Sequence, residues 1–211
     1  LGVSLIFVFI FLVMAFTGGV SLLWFAGGIV LLIVGIPTLW PLLDEYQQLR
    51  IQVLFDPSLD AAGTGVLWQS NLAKRTLTGG GMLGQGLFQG NRTQTPGALF
   101  AQHTDFIFCT IAEEFGFIGV LVLFAFLAML ILRIMRMGDR QLEGFGRVYC
   151  YCVASILFFH CFINIGMTMG IVPVMGIPLP FISYGGSSLL GFSVLVFIAI
   201  AIDASPTKYQ S

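Results

Sequence analysis

The chain has 211 residues, of which 57% are hydrophobic and 9% charged, with a formal net charge of −1. Soluble domains carry roughly 25% charged residues, so composition excludes a soluble globular protein. It equally excludes an intrinsically disordered chain, which would be polar and highly charged, and the charge balance gives no reason to expect a nucleic-acid partner.

Charge is absent from residues 1–43 and again from 148–202. Such stretches far exceed the ~20 apolar residues that span ~30 Å of hydrocarbon. Apolar segments at 1–17, 24–43, 115–132, 148–169 and 188–203 each predict a transmembrane helix. Helices are required because an open strand would leave backbone groups unpaired in lipid. The expected fold is therefore an all-α polytopic membrane protein with about five spans. The chain starts at Leu1 inside an apolar run, which reads as part of a longer polytopic protein rather than a signal peptide.

Basic residues set the expected orientation. Between the third and fourth spans lie Arg133, Arg136, Arg140 and Arg147 against Asp139 and Glu143, a net positive loop expected in the cytoplasm. The tail 204–211, with Lys208, falls on the same side by parity. Segment 44–114 then forms an extracytoplasmic loop; it holds seven acidic and four basic residues. The cysteines (109, 150, 152 and 161) sit in or beside apolar spans and read as small packing residues.

A loop this long inside a membrane protein is usually functional. Residues 66–77 predict a short amphipathic helix lying on the membrane, with Leu67, Trp68, Leu72 and Leu77 toward lipid or core. A glycine cluster follows at 79–81, 84, 86 and 90. Glycines let backbone N–H groups approach an anion, and Lys74, Arg75 and Arg92 flank the cluster. A phosphate cradle and an ordinary surface loop both fit this pattern.

Asp105 precedes an apolar helix and so fits a helix N-cap. It equally fits a carboxylate held at the outer surface beside His103, with Glu113 and Glu114 deeper on the same helix. Carboxylates at such depth are expensive and usually face a cavity or partner. In the fourth span His160, Asn164 and Thr168 recur every four residues, a polar stripe that either hydrogen-bonds a neighbouring helix or lines a cavity. Residues 170–188 carry prolines and glycines that forbid a regular helix. A re-entrant loop over the site is expected there, because irregular backbone at membrane depth must be buried or line a cavity.

Several strings together carry a family resemblance. They are His103-Thr104-Asp105-Phe106-Ile107-Phe108, Glu113-Glu114-Phe115-Gly116, Asn164-Ile165-Gly166-Met167, and Pro178-Leu179-Pro180-Phe181-Ile182-Ser183-Tyr184-Gly185-Gly186-Ser187-Ser188. Tyr46 with Arg50, Asp56-Pro57 with Asp60, and Gln69-Ser70 add to them. The sequence resembles the SEDS family (shape, elongation, division and sporulation), the RodA and FtsW group of bacterial cell-wall polymerases. It corresponds to the C-terminal half of a ten-span fold. Gly176-Ile177-Pro178-Leu179-Pro180 looks closer to RodA than to FtsW. A Pro-Glu pair common ahead of the family's histidine is absent here, where Phe100, Ala101 and Gln102 precede His103.

The resemblance implies a peptidoglycan glycosyltransferase of the bacterial inner membrane that polymerises lipid II, with Asp105 as its essential acid. It implies a class B penicillin-binding protein as partner. Candidate substrate contacts are Arg50, Gln69, Ser70, Lys74, Arg75 and Arg92 in the loop, and His103, Thr104, Glu113 and Glu114 around the third span. Ser183, Tyr184, Ser187 and Ser188 complete the set. A diphosphate leaves without protonation, so one carboxylate serving as base suffices, unlike the two of glycosidases. Protein cations or a divalent metal, magnesium or manganese, would meet the diphosphate charge. A lipid flippase or transporter and a non-catalytic scaffold are the rival classes. A transporter needs polar groups through the midplane, whereas the charges here gather in the outer loop.

Overall fold

The computed structural model describes residues 2–60, 65, 67–93, 95 and 103–205. Seven helices are described: α1 (Gly2–Thr17), α2 (Leu22–Leu39), α3 (Glu45–Phe55), α4 (Leu67–Gly79), α5 (Ile107–Arg140), α6 (Gly144–Met169) and α7 (Gly186–Ala204). Short 3-10 turns at Trp40–Leu42 and Pro57–Asp60 flank α3, and no strand occurs among the described residues. Most of the predicted tail, including Lys208, and the departure at 100–102 lie outside the described residues.

Helices α5, α6 and α7 are long and apolar enough to cross a membrane, and α1 and α2 contain shorter apolar stretches. These five match the five predicted spans. Helix α6 is the hub, packed against α1, α4, α5 and α7. Its most apolar window is 56% buried, against 11% in α5 and in α7, whose outer faces are left for lipid. Phe9 of α1 stacks on Phe159 of α6 with ring centroids 4.5 Å apart. Ile134, Cys150, Val153, Leu157 and Phe192 join α5, α6 and α7 in one core cluster. All four cysteines are buried and free, as packing residues should be.

Two boundaries differ from the sequence reading. The predicted loop 133–147 is mostly helix: α5 runs on to Arg140, α6 starts at Gly144, and only Gln141–Glu143 connect them. Arginine is a good helix former, so the helix continues after the apolar run ends. Helix α5 has 34 residues but is not one rod, because Gly116 has φ 66 and ψ −164 and breaks it near its start. The piece below Gly116 has the length of a span, and the piece above carries Glu113 and Glu114. Thr17, at the end of α1, lies near Arg147 at the start of α6, so the uncharged turn after Thr17 belongs to the arginine-bearing end.

Segment 44–114 is more structured than a loop. Helix α3, which polar periodicity did not reveal, and the expected helix α4 both fold within it. Helix α4 does not bury a leucine face. Its buried residues are Ser70, Ala73 and Thr76, one stripe of small side chains three residues apart. Small residues let helices approach closely, and Ala73 is fully buried in a cluster with Phe106 and Cys109. Leu72 packs at the edge of that core and Leu77 against a second cluster with Phe108 and Leu179, while Trp68 is 39% exposed.

Candidate active site

Helix α5 begins at Ile107, and its cap position is Phe106 with no side-chain capping bond. Asp105 is therefore not an N-cap. It sits in a tight turn, 103–106, just before the helix. Phe106 is 1% exposed and anchors the turn from below. From above, three consecutive carbonyls are each held by a donor. The Tyr184 N–H donates to the His103 carbonyl at 2.8 Å. The Ser183 hydroxyl donates to the Thr104 carbonyl at 2.6 Å. The Asn164 amide donates to the Asp105 carbonyl at 3.0 Å and to the Ile177 carbonyl at 2.7 Å.

Those donors come from α6 and from segment 170–185, the irregular stretch after α6. Gly170 ends α6 in a left-handed conformation, φ 73, and leads the chain back over the helix end. A second left-handed residue, Gly176 at φ 67, lies beside the Asp105 turn; a Cβ built there would be 3.6 Å from Asp105 Oδ2. The loop thus covers the turn at both backbone and carboxylate. Leu179 donates its N–H to Ser183 Oγ at 2.7 Å, which fixes that hydroxyl to donate toward Thr104. Partial burial raises the Asp105 pKa above 3.8, opposed by a hydrogen bond from the Thr104 side chain.

The polar stripe of α6 resolves into separate tasks. His160 Nδ1 lies 2.8 Å from the Ile156 carbonyl, and its ring meets Phe192 edge-on at 4.9 Å. Thr168 donates to the Ile165 carbonyl of its own helix. Only Asn164 reaches the Asp105 turn among these three. A fully buried amide must find partners, and that requirement is the signal by which the sequence could have marked Asn164 as a tie to a neighbouring backbone.

The glycine cluster is woven into the break of α5. Gln85 and Gly86 donate their N–H groups to the carbonyls of Glu113 and Glu114 at 2.9 and 3.0 Å, and Phe117 donates to Gly81 at 3.0 Å. Gly84 donates to Gly80 at 2.8 Å. The N–H groups of Gly84 and Gly86 are thus spent on protein carbonyls. The Glu113 carboxylate, 1% exposed, accepts N–H bonds from Arg92 and Thr93 at 3.1 and 2.9 Å. Glu113→Gln turns an NH₂ toward one of those donors. It is expected to lower stability by about 1–3 kcal/mol, seen as earlier thermal unfolding of the detergent-purified protein and faster amide exchange at 85–93.

Two of the expected cations, Arg50 and Lys74, meet the covering loop. Arg50 on α3 donates to the Val174 carbonyl at 2.7 Å and to the Tyr46 hydroxyl at 2.9 Å. Gln69 and Ser70 share a small crevice with Arg50 and residues 172–174. Lys74 lies against Gly170, where a Cβ would meet its Nζ at 2.4 Å, near the negative end of the α6 dipole. Arg75 is exposed and Arg92 half-buried. His103 is exposed, Thr104 half-buried and Glu114 buried. On the α7 side, Tyr184 and Ser187 are exposed at the helix start, while Ser188 donates to the Gly185 carbonyl at 2.9 Å. Among the described residues no three His, Cys, Asp or Glu side chains converge on a site fit for a metal ion.

The family model FtsW/RodA/SpoVE, described as a cell cycle protein, matches residues 1–208. The chain belongs to this family. The peptidoglycan glycosyltransferase MrdB of Escherichia coli is 39% identical over 204 residues, covering 94% of this chain and 54% of that protein. The probable peptidoglycan glycosyltransferase FtsW of Pasteurella multocida is 35% identical over 173 residues, covering 80% of this chain and 43% of its own length. A solved structure concerned with the coordination of polymerization and crosslinking by a peptidoglycan synthase complex matches with TM-score 0.76 and 29% identity. It covers all of this chain and 57% of the matched one. The chain thus spans about half the length of the curated relatives it matches, in keeping with half of a ten-span fold.

Proposed function

We propose that this FtsW/RodA/SpoVE-family chain carries the catalytic half of a peptidoglycan glycosyltransferase, which joins lipid II units into glycan strands. The observation that carries the reading is Asp105. It is a half-buried carboxylate on a turn whose backbone is tied at three consecutive carbonyls, with its oxygen against the loop at Gly176. That is the kind of placement a positioned base needs. The names of the curated relatives supply the reaction class, and the hairpin of arginines at the other end of the bundle supports an outward-facing site in the bacterial inner membrane.

In this reading the acceptor's sugar hydroxyl approaches Asp105, which removes its proton as the oxygen attacks the donor's anomeric carbon. The bond from that carbon to the undecaprenyl diphosphate breaks, the configuration inverts, and the diphosphate leaves with the electron pair. The leaving group needs positive charge rather than a proton. Lys74 and Arg75 on the exposed side of α4, and Arg50 beside the covering loop, are the cations proposed to meet it. Asp105 must be ionised to act, and its pKa lies above 3.8. The rate is therefore expected to fall as pH is lowered through that raised value. The acid limb of a kcat/KM–pH profile should sit above the ordinary aspartate value.

A class B penicillin-binding protein that crosslinks the product is the proposed partner, supported by the peptidoglycan synthase complex that matches in structure. Membrane lipid surrounds the spans. The test is glycan-strand formation from purified lipid II by the full-length protein with its partner, compared with Asp105→Asn.

A further inference from the structure

Two buried side chains carry the ties between the Asp105 turn and the loop that covers it. Asn164 is 0% exposed and Ser183 8% exposed. Asn164 spends its amide on two carbonyls, one of Asp105 and one of Ile177. Ser183 takes the Leu179 N–H and gives its own proton to Thr104. Each side chain therefore links a carbonyl of the turn to the backbone at 177–179. With the Tyr184 N–H on His103, every carbonyl from 103 to 105 accepts a protein hydrogen bond.

We infer that Asn164 and Ser183 are positioning residues for Asp105: they fix its backbone, and so the direction and the partial dryness of its carboxylate. This inference rests on the base role proposed above. Ser183 thereby changes from a candidate substrate contact to a support. Its proton is committed to Thr104, and an acceptor lone pair is committed to Leu179. The chemistry gives the ties their value. A base must come within ~2.6–3.2 Å of the proton it removes, and a misplacement of ~1 Å can cost about 100-fold. With the backbone fixed, only the two side-chain torsions of Asp105 are free to spoil its aim. Losing one tie frees the turn on one side and admits water beside the carboxylate.

The experiment compares the full-length protein with Ser183→Ala, Ser183→Cys, Ser183→Thr, Asn164→Ala and Asp105→Asn, in lipid II polymerisation across pH, with melting temperature measured on each purified variant. Ser183→Ala and Asn164→Ala are expected to lower kcat roughly 10–100-fold with KM changed less than about threefold. Their acid limb should move down toward the ordinary carboxylate value as the carboxylate is wetted. Ser183→Thr keeps the hydroxyl and should stay within about threefold of the parent. Ser183→Cys, isosteric but a weak donor, should fall between Ser and Ala, and it serves if Ser183→Ala does not fold. A Ser183→Cys protein with the parental kcat and acid limb overturns the inference. So does an activity loss in the alanine variants that merely follows loss of folded protein, with the acid limb unmoved. If Asp105→Asn is inactive while Ser183→Ala matches the parent, the positioning role fails alone. If Asp105→Asn retains the parental rate, the base role fails and takes the positioning role with it.

Discussion

Asp105→Asn in the full-length protein should reduce glycan-strand formation at least 100-fold, with melting temperature and lipid II binding close to the parent. General-base catalysis is worth about 10²–10⁴-fold, and asparagine has the same shape but cannot take a proton. Geometry makes the comparison clean. The three ties to the turn run through the backbone carbonyls of residues 103–105, and none of them uses the Asp105 carboxylate. Removing the charge thus leaves the scaffold standing. It also relieves a half-buried carboxylate whose ionised form is penalised by burial, so stability should hold or rise slightly. An Asp105→Asn protein that polymerises lipid II at the parental rate would end the catalytic assignment.

The second large effect is expected on folding. Gly80 and Gly84 are packed backbone to backbone against the break in α5. A Cβ on Gly80 would lie 1.9 Å from the Ala112 carbonyl oxygen, and one on Gly84 would lie 2.1 Å from that of Glu114. Gly84 also has φ +81, which costs an L-residue about 1–2 kcal/mol before any clash. The obstacle in both cases is main chain, so a rotamer change gives no relief. Gly84→Ala should destabilise by about 3–5 kcal/mol, read as a large drop in melting temperature or loss of monodisperse protein. Gly144→Ala is the control: nothing lies within 4 Å of its Cβ position, so stability should change by less than about 0.5 kcal/mol. Equal melting temperatures for Gly84→Ala and Gly144→Ala would show that the loop does not sit where it is drawn.

Spans were legible because lipid imposes one rule, a run of uncharged residues long enough to cross, and residues 1–43 and 148–202 obey it visibly. Helix ends were less legible, since Arg136 and Arg140 mark where apolar surface stops but not where hydrogen bonding stops. Helix α4 was legible, and its packing face only in part. Leucine periodicity points to Leu67, Trp68, Leu72 and Leu77, of which Leu72 and Leu77 pack on core clusters, whereas close approach selects Ser70, Ala73 and Thr76. The glycines were legible but their contacts were not: Gly80 and Gly84 pack against the carbonyls of Ala112 and Glu114. A glycine required for contact with an anion and one required for contact with a carbonyl look the same in one dimension. Asp105 stood out because a charge beside a span is costly. The ties on its turn were invisible, because they join residues 59 and 79 positions apart through main-chain carbonyls that leave no mark in the sequence.

That separation has a consequence for biogenesis. When a ribosome has just delivered His103, Thr104 and Asp105 to the insertion machinery, the donors that will hold their carbonyls have not yet been synthesised. Asn164 arrives with the next-but-one hydrophobic segment, and Ser183 and Tyr184 only on the approach to the one after it. A nascent chain halted before residue 183 would contain the aspartate and the two hydrophobic segments that follow it, yet hold its turn by Asn164 alone. The remaining ties would form late, when the segment after residue 185 enters the bilayer.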